Sequence, residues 1–179
     1  MDDLGEKSGS RAATRAQIVT TFNRLMLEGE RSRPRVAEIV AEAGVARSTF
    51  YDHFDGVEAL FDESLSMLLG RIANCLVGDG AREYMVWLME HVYENRERGR
   101  AMLAGPSAQR TESLLARLLI RELDGEKDAR LHSILVAGTT MAALGAWVTG
   151  RLAAKPEELA ERLLRTARAI IGAVPGEVR

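Results

Sequence analysis

The stretch that decides the fold runs from residue 43 to residue 54 and reads Ala43-Gly44-Val45-Ala46-Arg47-Ser48-Thr49-Phe50-Tyr51-Asp52-His53-Phe54. It predicts the end of one short helix, a tight turn and a second short helix. Gly44 supplies the left-handed backbone that such a turn requires. Phe50 and Phe54, spaced i and i+4, give the second helix an apolar side. The pattern is that of a helix-turn-helix.

The helix before the turn has an apolar stripe of its own, formed by Val36, Ile39 and Val40, so the two short helices share one small core. The other face of the second helix is densely polar, with Arg47, Ser48, Thr49, Tyr51, Asp52 and His53. Such a face suits the major groove of DNA. An ordinary helical hairpin with a solvated surface has the same spacing, so the pattern alone leaves both interpretations open.

The segment from Thr14 to Leu60 resembles the DNA-binding domain of the tetracycline-repressor (TetR) family. The matching parts are a first helix with Ile18, Phe22 and Leu25, followed by the blocks Val36-Ala37-Glu38-Ile39-Val40, Ala43-Gly44-Val45 and Thr49-Phe50-Tyr51-Asp52-His53-Phe54. The resemblance implies an all-α protein. It places a flexible tail at residues 1–9, a three-helix helix-turn-helix domain at 10–55 and a helical ligand-binding and dimerisation domain at 56–179.

The function that the resemblance implies is one-component regulation of transcription, more as a repressor than as an activator. The dimer is expected to bind a pseudo-palindromic operator in double-stranded DNA and to be released by a small, apolar ligand. Residue by residue, the resemblance assigns Thr49 and His53 to phosphate and Tyr51 to phosphate or a thymine methyl group. Arg47 is the candidate for guanine, whose two acceptors suit a guanidinium. Ser48 lies at another contact position.

Two residues depart from the family pattern. Val57 stands where the family usually has a phosphate-binding lysine, and Asp52 stands where a basic or neutral group is common. The Asp52 carboxylate would repel phosphate unless it accepts from a cytosine amine or pairs with an arginine. Arginines that could compensate are Arg11, Arg15, Arg33 and Arg35. The alternative is a helical protein-interaction module with a degenerate DNA-binding head.

Composition agrees with a cytoplasmic regulator. The 179 residues carry a net charge of −2, yet basic residues outnumber acidic ones between Lys7 and Phe54, where the DNA would bind. A single cysteine, Cys75, excludes an internal disulfide, and the beginning of the sequence lacks the pattern of a signal peptide. No nucleophile elbow, phosphate loop or Cys/His metal spacing is present, so we expect no catalysis, no metal and no cofactor.

The segment from Ser133 to Gly150 has no charged residue and is long enough for a membrane span. Its Gly, Ala and Thr content favours a helix buried in protein instead, and we expect no membrane partner. Two stripes match the helices that form the family's dimer interface. The first lies in this segment and comprises Gly138, Ala142, Ala146 and Gly150; the second lies in the next segment and comprises Leu159, Leu163 and Ile170. Packing within one chain is the alternative for both stripes.

Methionine and tryptophan side chains are candidates for an apolar ligand pocket, because they adapt to varied organic molecules. The pocket candidates are Met67, Trp87, His91, Met102 and Met141. Ordinary core packing is the alternative for each of them. The helices predicted from periodicity and from Gly and Pro positions run over residues 10–28, 33–43, 47–53, 57–77, 82–104, 107–123, 127–153 and 156–173.

Overall fold

The computed structural model describes residues 3–28, 34–78, 82–103 and 107–172. These ranges contain helices and no strand. The helices are α1 (Asp3–Glu28), α2 (Val36–Ala43), α3 (Arg47–Tyr51), α4 (Val57–Val77), α5 (Arg82–Glu94), α6 (Arg96–Leu103), α7 (Ala108–Glu122), α8 (Ala129–Val148) and α9 (Pro156–Ile171). The all-α fold class predicted from the sequence is confirmed.

The chain divides into two compact units, residues 1–67 and residues 68–179. The predicted domain boundary, after residue 55, lies just before α4, whereas the compact units divide within α4, after Met67. Helix α4 is continuous through that position, so the backbone of one helix belongs to both units.

Several helix boundaries differ from the sequence prediction, and three of the differences have a local explanation or consequence. The first helix begins at Asp3 and not at Ser10, so most of the predicted tail is helical; this segment contains no proline to stop a helix. The third helix ends at Tyr51 and not at His53. The predicted helix over 82–104 is interrupted at Asn95, whose side-chain amide donates to the His91 carbonyl at 3.0 Å. Asparagine competes for backbone hydrogen bonds in this way and is a weak helix former.

A buried apolar cluster holds the first unit together. Its fully buried members come from α1, α2, α3, the turn after α3 and α4: Ile18, Val19, Phe22, Ile39, Phe50, Phe54 and Leu60. The i, i+3, i+4 spacings seen in the sequence therefore converge on one core. Phe50 and Phe54 lie with ring centroids 5.8 Å apart.

In the second unit, α8 packs against α6, α7 and α9, and α9 also packs against α5. The contact between α6 and α8 is unusually close at Gly145, where an added Cβ would lie 2.7 Å from the carbonyl oxygen of Leu103. Arg96 Nη2 donates to the Trp147 carbonyl at 2.7 Å, and Arg100 Nε donates to the Val148 carbonyl at 2.8 Å. These arginines donate to two carbonyls at the end of α8, where positive charge is favourable.

Helix α9 begins with Pro156 in its first turn, where the missing N–H costs nothing. Its apolar stripe is buried within the chain and comprises Leu159, Ala160, Leu163, Leu164 and Ala167. On the exposed side Arg82 of α5 donates to the Glu161 carboxylate, and this hydrogen bond and charge lower the pKa of Glu161. Cys75 is buried, and burial raises the pKa of its thiol, as suits a structural cysteine.

Helix α8 is long and apolar enough to cross a membrane by length and composition, and half of its apolar window is buried inside the chain. Core helices of proteins outside membranes share these properties, so the finding is weak evidence for a membrane span.

The close approach at Gly145 predicts a stability difference between two glycine substitutions. We expect Gly145→Ala to lower the free energy of unfolding by about 1–3 kcal/mol, because the new methyl group would overlap a backbone oxygen. Gly70→Ala in α4 is the matched control, since its Cβ would meet nothing within 4 Å; we expect it to be neutral or stabilising by up to about 1 kcal/mol. Urea unfolding measures both, and equal effects would contradict the packing described.

Candidate DNA-binding site

The turn between α2 and α3 has the geometry that its sequence predicts. Gly44 caps α2 with φ 64° and ψ 30°, in the left-handed region, and the Val45 N–H donates to the Val40 carbonyl at 3.1 Å. Gln17 of α1 donates to the Ala43 carbonyl at 2.7 Å. The turn is thus fixed both by its own backbone and by a side chain from α1.

Helix α3 has one buried and one exposed side. Phe50 is fully buried, and its ring meets Tyr51 edge to face at a centroid distance of 5.4 Å. The polar residues of the sequence prediction lie on the other side: Arg47, Ser48, Tyr51 and Asp52 are exposed, and Thr49 and His53 are half-buried. The structure therefore brings six of the seven candidate DNA contacts onto α3 and the turn that follows it.

Arg47 and Tyr51, one helical turn apart, are neighbours on this surface. Arg47 Nη2 lies 3.5 Å from the Tyr51 hydroxyl, and the guanidinium carbon is 5.8 Å from the centroid of the tyrosine ring. Both side chains remain exposed. Stacking on an aromatic ring restricts an arginine without using up all its donors, so Arg47 keeps N–H groups for a base.

Arg35, the seventh candidate, lies at the beginning of α2 and is exposed there. Its backbone N–H donates to Glu38 at 2.7 Å, which satisfies one of the free N–H groups at the start of that helix. Arg33, a candidate for compensating contacts, lies outside the described residues.

The two departures from the family pattern have different structural settings. Val57 begins α4 and packs, half-buried, against the core of the first unit, so an apolar contact replaces the usual lysine. Asp52 is exposed, and Arg11 Nη2 donates at 3.0 Å to its main-chain carbonyl, not to its carboxylate. A cleft of about 360 Å³ lies between the start of α1 and the end of α3, lined by Ser10, Arg11, Asp52 and His53.

Arg15, one turn further along α1, is not a free cation. Its guanidinium binds the Glu63 carboxylate of α4 and lies 4.4 Å from the centroid of the Phe54 ring. Sequence reasoning treated Arg15 only as a candidate for compensating phosphate contacts. The contact with Glu63 could not be read from the sequence, because 48 positions separate the two residues.

Residues 32–64 match the family model for bacterial regulatory proteins of the tetR family. This part of the chain belongs to the tetR family. The matched residues contain the helix-turn-helix and the start of α4, and they are the part of the chain in which the site lies. No curated protein matches the chain.

Solved structures extend the likeness of the fold to most of the chain. A TetR transcriptional regulator from Streptococcus agalactiae 2603V is 22% identical, covers 92% of this chain and 99% of its own, and has a TM-score of 0.53. The dihydroxyacetone kinase operon activator DhaS is 18% identical, covers 89% and 96%, and has a TM-score of 0.50. At these identities the likeness concerns the fold. The likeness therefore supports a helical fold for the second unit as well as for the helix-turn-helix.

The five pocket candidates of this tetR-family protein have different surroundings. Trp87 and His91 stack on α5, with ring centroids 5.6 Å apart and planes at 11°. Trp87 is exposed, and His91 Nε2 is buried with no hydrogen-bond partner in the part of the chain that the structure describes. Met141 is buried in α8, and Met67 is exposed in the first unit. The side chain of Met102 lies outside the described residues. The structure thus brings Trp87 and His91 together.

The predicted dimer stripes are placed differently from each other. Leu159 and Leu163 are only 2% and 5% exposed within the chain, so they leave almost no surface for a second subunit, and Ile170 is half-buried. On α8, Ala142 is exposed and Gly138 and Ala146 are half-buried, whereas Gly150 lies beyond the helix with φ 80°. Leu159 and Leu163 therefore pack inside the chain, as in the alternative given for this stripe, and α8 ends before Gly150.

Sequence reasoning missed the large apolar residues on the exposed side of α8, which are Leu131, Ile134 and Leu135. They share this side with Gly138, Thr139 and Ala142, because all six follow the i, i+3, i+4 spacing of one helix face. We call these six residues the α8 face. The same spacing was visible in the sequence, where it was treated as one buried run.

The left-handed turn predicts the effect of changing Gly44. We expect Gly44→Ala to lower the free energy of unfolding by about 1–2 kcal/mol, because an L side chain is strained at this φ. Space is not the cause, since an added Cβ would meet nothing within 4 Å. Gly44→Asn, which tolerates the left-handed region better, should cost less. Thermal unfolding of the three proteins gives their order of stability. A Gly44→Asn protein that is less stable than Gly44→Ala would contradict this explanation.

Proposed function

We propose that this tetR-family regulator is a homodimeric repressor that binds a pseudo-palindromic operator and is released by a small apolar ligand. The observation that carries the DNA-binding part is the exposed polar face of α3, fixed from beneath by Phe50 and Phe54. In helix-turn-helix proteins the second helix of the motif enters the major groove. A regulator of this kind acts where the chromosome lies, and we propose the cytoplasm as its location.

Within this proposal the contacts divide into two kinds. Thr49 and His53, half-buried at the edge of α3, are assigned to phosphates, which fix the register of the protein on the duplex. Arg47, with Ser48, Tyr51 and Asp52, faces the bases. Arg35, at the start of α2, is assigned to the DNA backbone. We propose that the protein represses transcription. Because DhaS, one of the similar structures, is named as an activator, a reporter assay is needed to distinguish repression from activation.

The α8 face supports the dimer. It exposes three large apolar side chains beside small residues, a combination that lets a second helix approach closely, and exposed apolar patches of this kind mark interaction sites. A two-fold axis would place the same face of both subunits in contact. Two copies of α3 would then lie about one DNA turn, ~34–36 Å, apart on adjacent half-sites.

For the ligand, we propose a site in the second unit beside Trp87 and His91. The buried Nε2 of His91 has no hydrogen-bond partner among the described residues, and buried polar atoms are normally hydrogen-bonded. An apolar molecule with one polar group would satisfy it. The dimer would have two conformations that differ in the distance between its α3 helices. A ligand that binds one conformation more tightly than the other would shift the affinity for DNA.

The alternative function, an interaction protein with a degenerate head, is favoured by Val57, which packs against the core instead of contacting phosphate. Selection of DNA from a random-sequence library separates the two functions. We expect the wild-type protein to enrich one pseudo-palindromic sequence and to bind it more weakly as salt rises. Recovery of no common sequence at low salt would favour the alternative.

Arg47 gives a specific prediction on the selected DNA. Arg47→Ala should weaken specific binding by about 1–3 kcal/mol and relax the preference at one base position, as loss of a bidentate guanine contact does. Arg24→Ala is the control, because Arg24 is exposed on α1 and pairs with Glu42 at 2.5 Å, away from α3. Fluorescence anisotropy on single-base variants of the site measures both. Equal weakening on every single-base variant of the DNA would instead assign Arg47 to a phosphate contact.

The α8 face predicts the behaviour of a charged variant. Ile134→Glu should convert the dimer to a monomer, because the carboxylate would be buried in an apolar interface. Trp87→Glu is the control: Trp87 is 51% exposed and Ile134 52%, but Trp87 lies on α5. Analytical ultracentrifugation should find the control still dimeric. A dimeric Ile134→Glu protein would place the interface elsewhere.

A further inference from the structure

We propose that Arg15 is a positioning residue for DNA binding: held by Glu63, its guanidinium fixes the carboxyl end of α3 against α4. The inference rests on the proposed function, since it gives Arg15 a part in DNA recognition without a contact to DNA.

One guanidinium joins three parts of the first unit. Arg15 Nη1 donates to the His53 carbonyl at 2.7 Å. Nε donates to Glu63 Oε1 at 3.0 Å, and Nη2 donates to the other oxygen of the same carboxylate. The flat face of the group lies over the Phe54 ring. The paired hydrogen bonds orient the guanidinium as a rigid fork, which a lysine could not reproduce.

Helix α3 needs such support because of its length. Five residues are too few for a helix to be stable alone, and the carbonyls at its end lack partners within the helix. Arg15 holds the chain just after the helix, at the His53 carbonyl, and a cation is favourable near this end of a helix. A recognition helix that is loose by 1 Å loses its contacts with base edges, so the support bears on specificity.

The electrostatics of Arg15 argue against a phosphate contact as its main role. Its charge is paired with Glu63, and three of its N–H groups are already donating. Arg11, one turn earlier, differs: it is exposed and donates to the Asp52 carbonyl. Arg11 and Arg15 thus hold adjacent carbonyls after α3, and Arg15 is in addition paired with the Glu63 carboxylate.

The decisive variant is Glu63→Gln, because positioning and net charge predict opposite results. The variant removes one negative charge from the DNA-binding unit, so charge alone would tighten binding to any DNA. If Arg15 must be held in place, specific binding weakens, by about tenfold, since a charge-assisted pair that anchors α3 is lost. Asp55→Asn is the matched control: it makes the same charge change at an exposed position after α3, and should tighten specific binding slightly.

The experiment measures affinity for the selected operator and for random DNA over a range of salt concentrations, with thermal unfolding to confirm that each variant is folded. We expect Arg15→Gln to weaken specific binding about tenfold and random-DNA binding only slightly, through the lost charge, while the salt slope stays unchanged. Loss of one phosphate contact would instead lower the slope by about 0.9. Arg15→Lys should recover part of the specific affinity, because it keeps one donor for His53.

Hydrogen exchange in the absence of DNA tests the positioning directly. The Phe54 amide, bonded to the Phe50 carbonyl at 2.9 Å, should exchange faster in Glu63→Gln, while the Val45 amide in the preceding turn should not change. Wild-type protein that selects no DNA would count against the proposed function. Wild-type selection with undiminished affinity in Glu63→Gln, or a lower salt slope in Arg15→Gln, would overturn the inference about Arg15 alone.

Discussion

The recognition surface depends on the burial of Phe50 and Phe54 beneath a helix of five residues. Helix α3 has no stability of its own at that length, and each buried ring contributes about 1.5–3 kcal/mol by removal from water. The same two rings bring α3 onto the core formed by α1, α2 and α4. The positions of Arg47, Tyr51 and His53 therefore follow from what lies under the helix, not from the polar residues themselves.

Polar interactions complete this arrangement at the ends of the short elements. Gly44 and Gln17 close the turn before α3, and Arg11 and Arg15 bind carbonyls just after it. Each of them satisfies backbone groups that a short helix leaves free. Because α4 carries Glu63 and also continues into the second unit, the partner of Arg15 belongs to the one helix shared by both units.

Much of this could be predicted from local sequence. Gly44, the i, i+4 pair of Phe50 and Phe54, and the polar face of α3 are short-range patterns with one structural meaning. The contacts of Arg15 with Glu63 and of Gly145 with Leu103 join residues far apart in the chain, and periodicity cannot show them. The α9 stripe was correctly recognised as apolar, but a buried stripe and an interface stripe have the same spacing, so sequence alone could not assign Leu159 and Leu163 to the interior.

In the proposed function, two copies of α3 read one DNA site. Hydroxyl-radical footprinting of the wild-type protein on the selected DNA tests this proposal most directly. We expect two protected patches on one face of the duplex, with centres one helical turn or a whole number of turns apart and related by the symmetry of the site. A single protected patch, or uniform weak protection along the fragment, would contradict it.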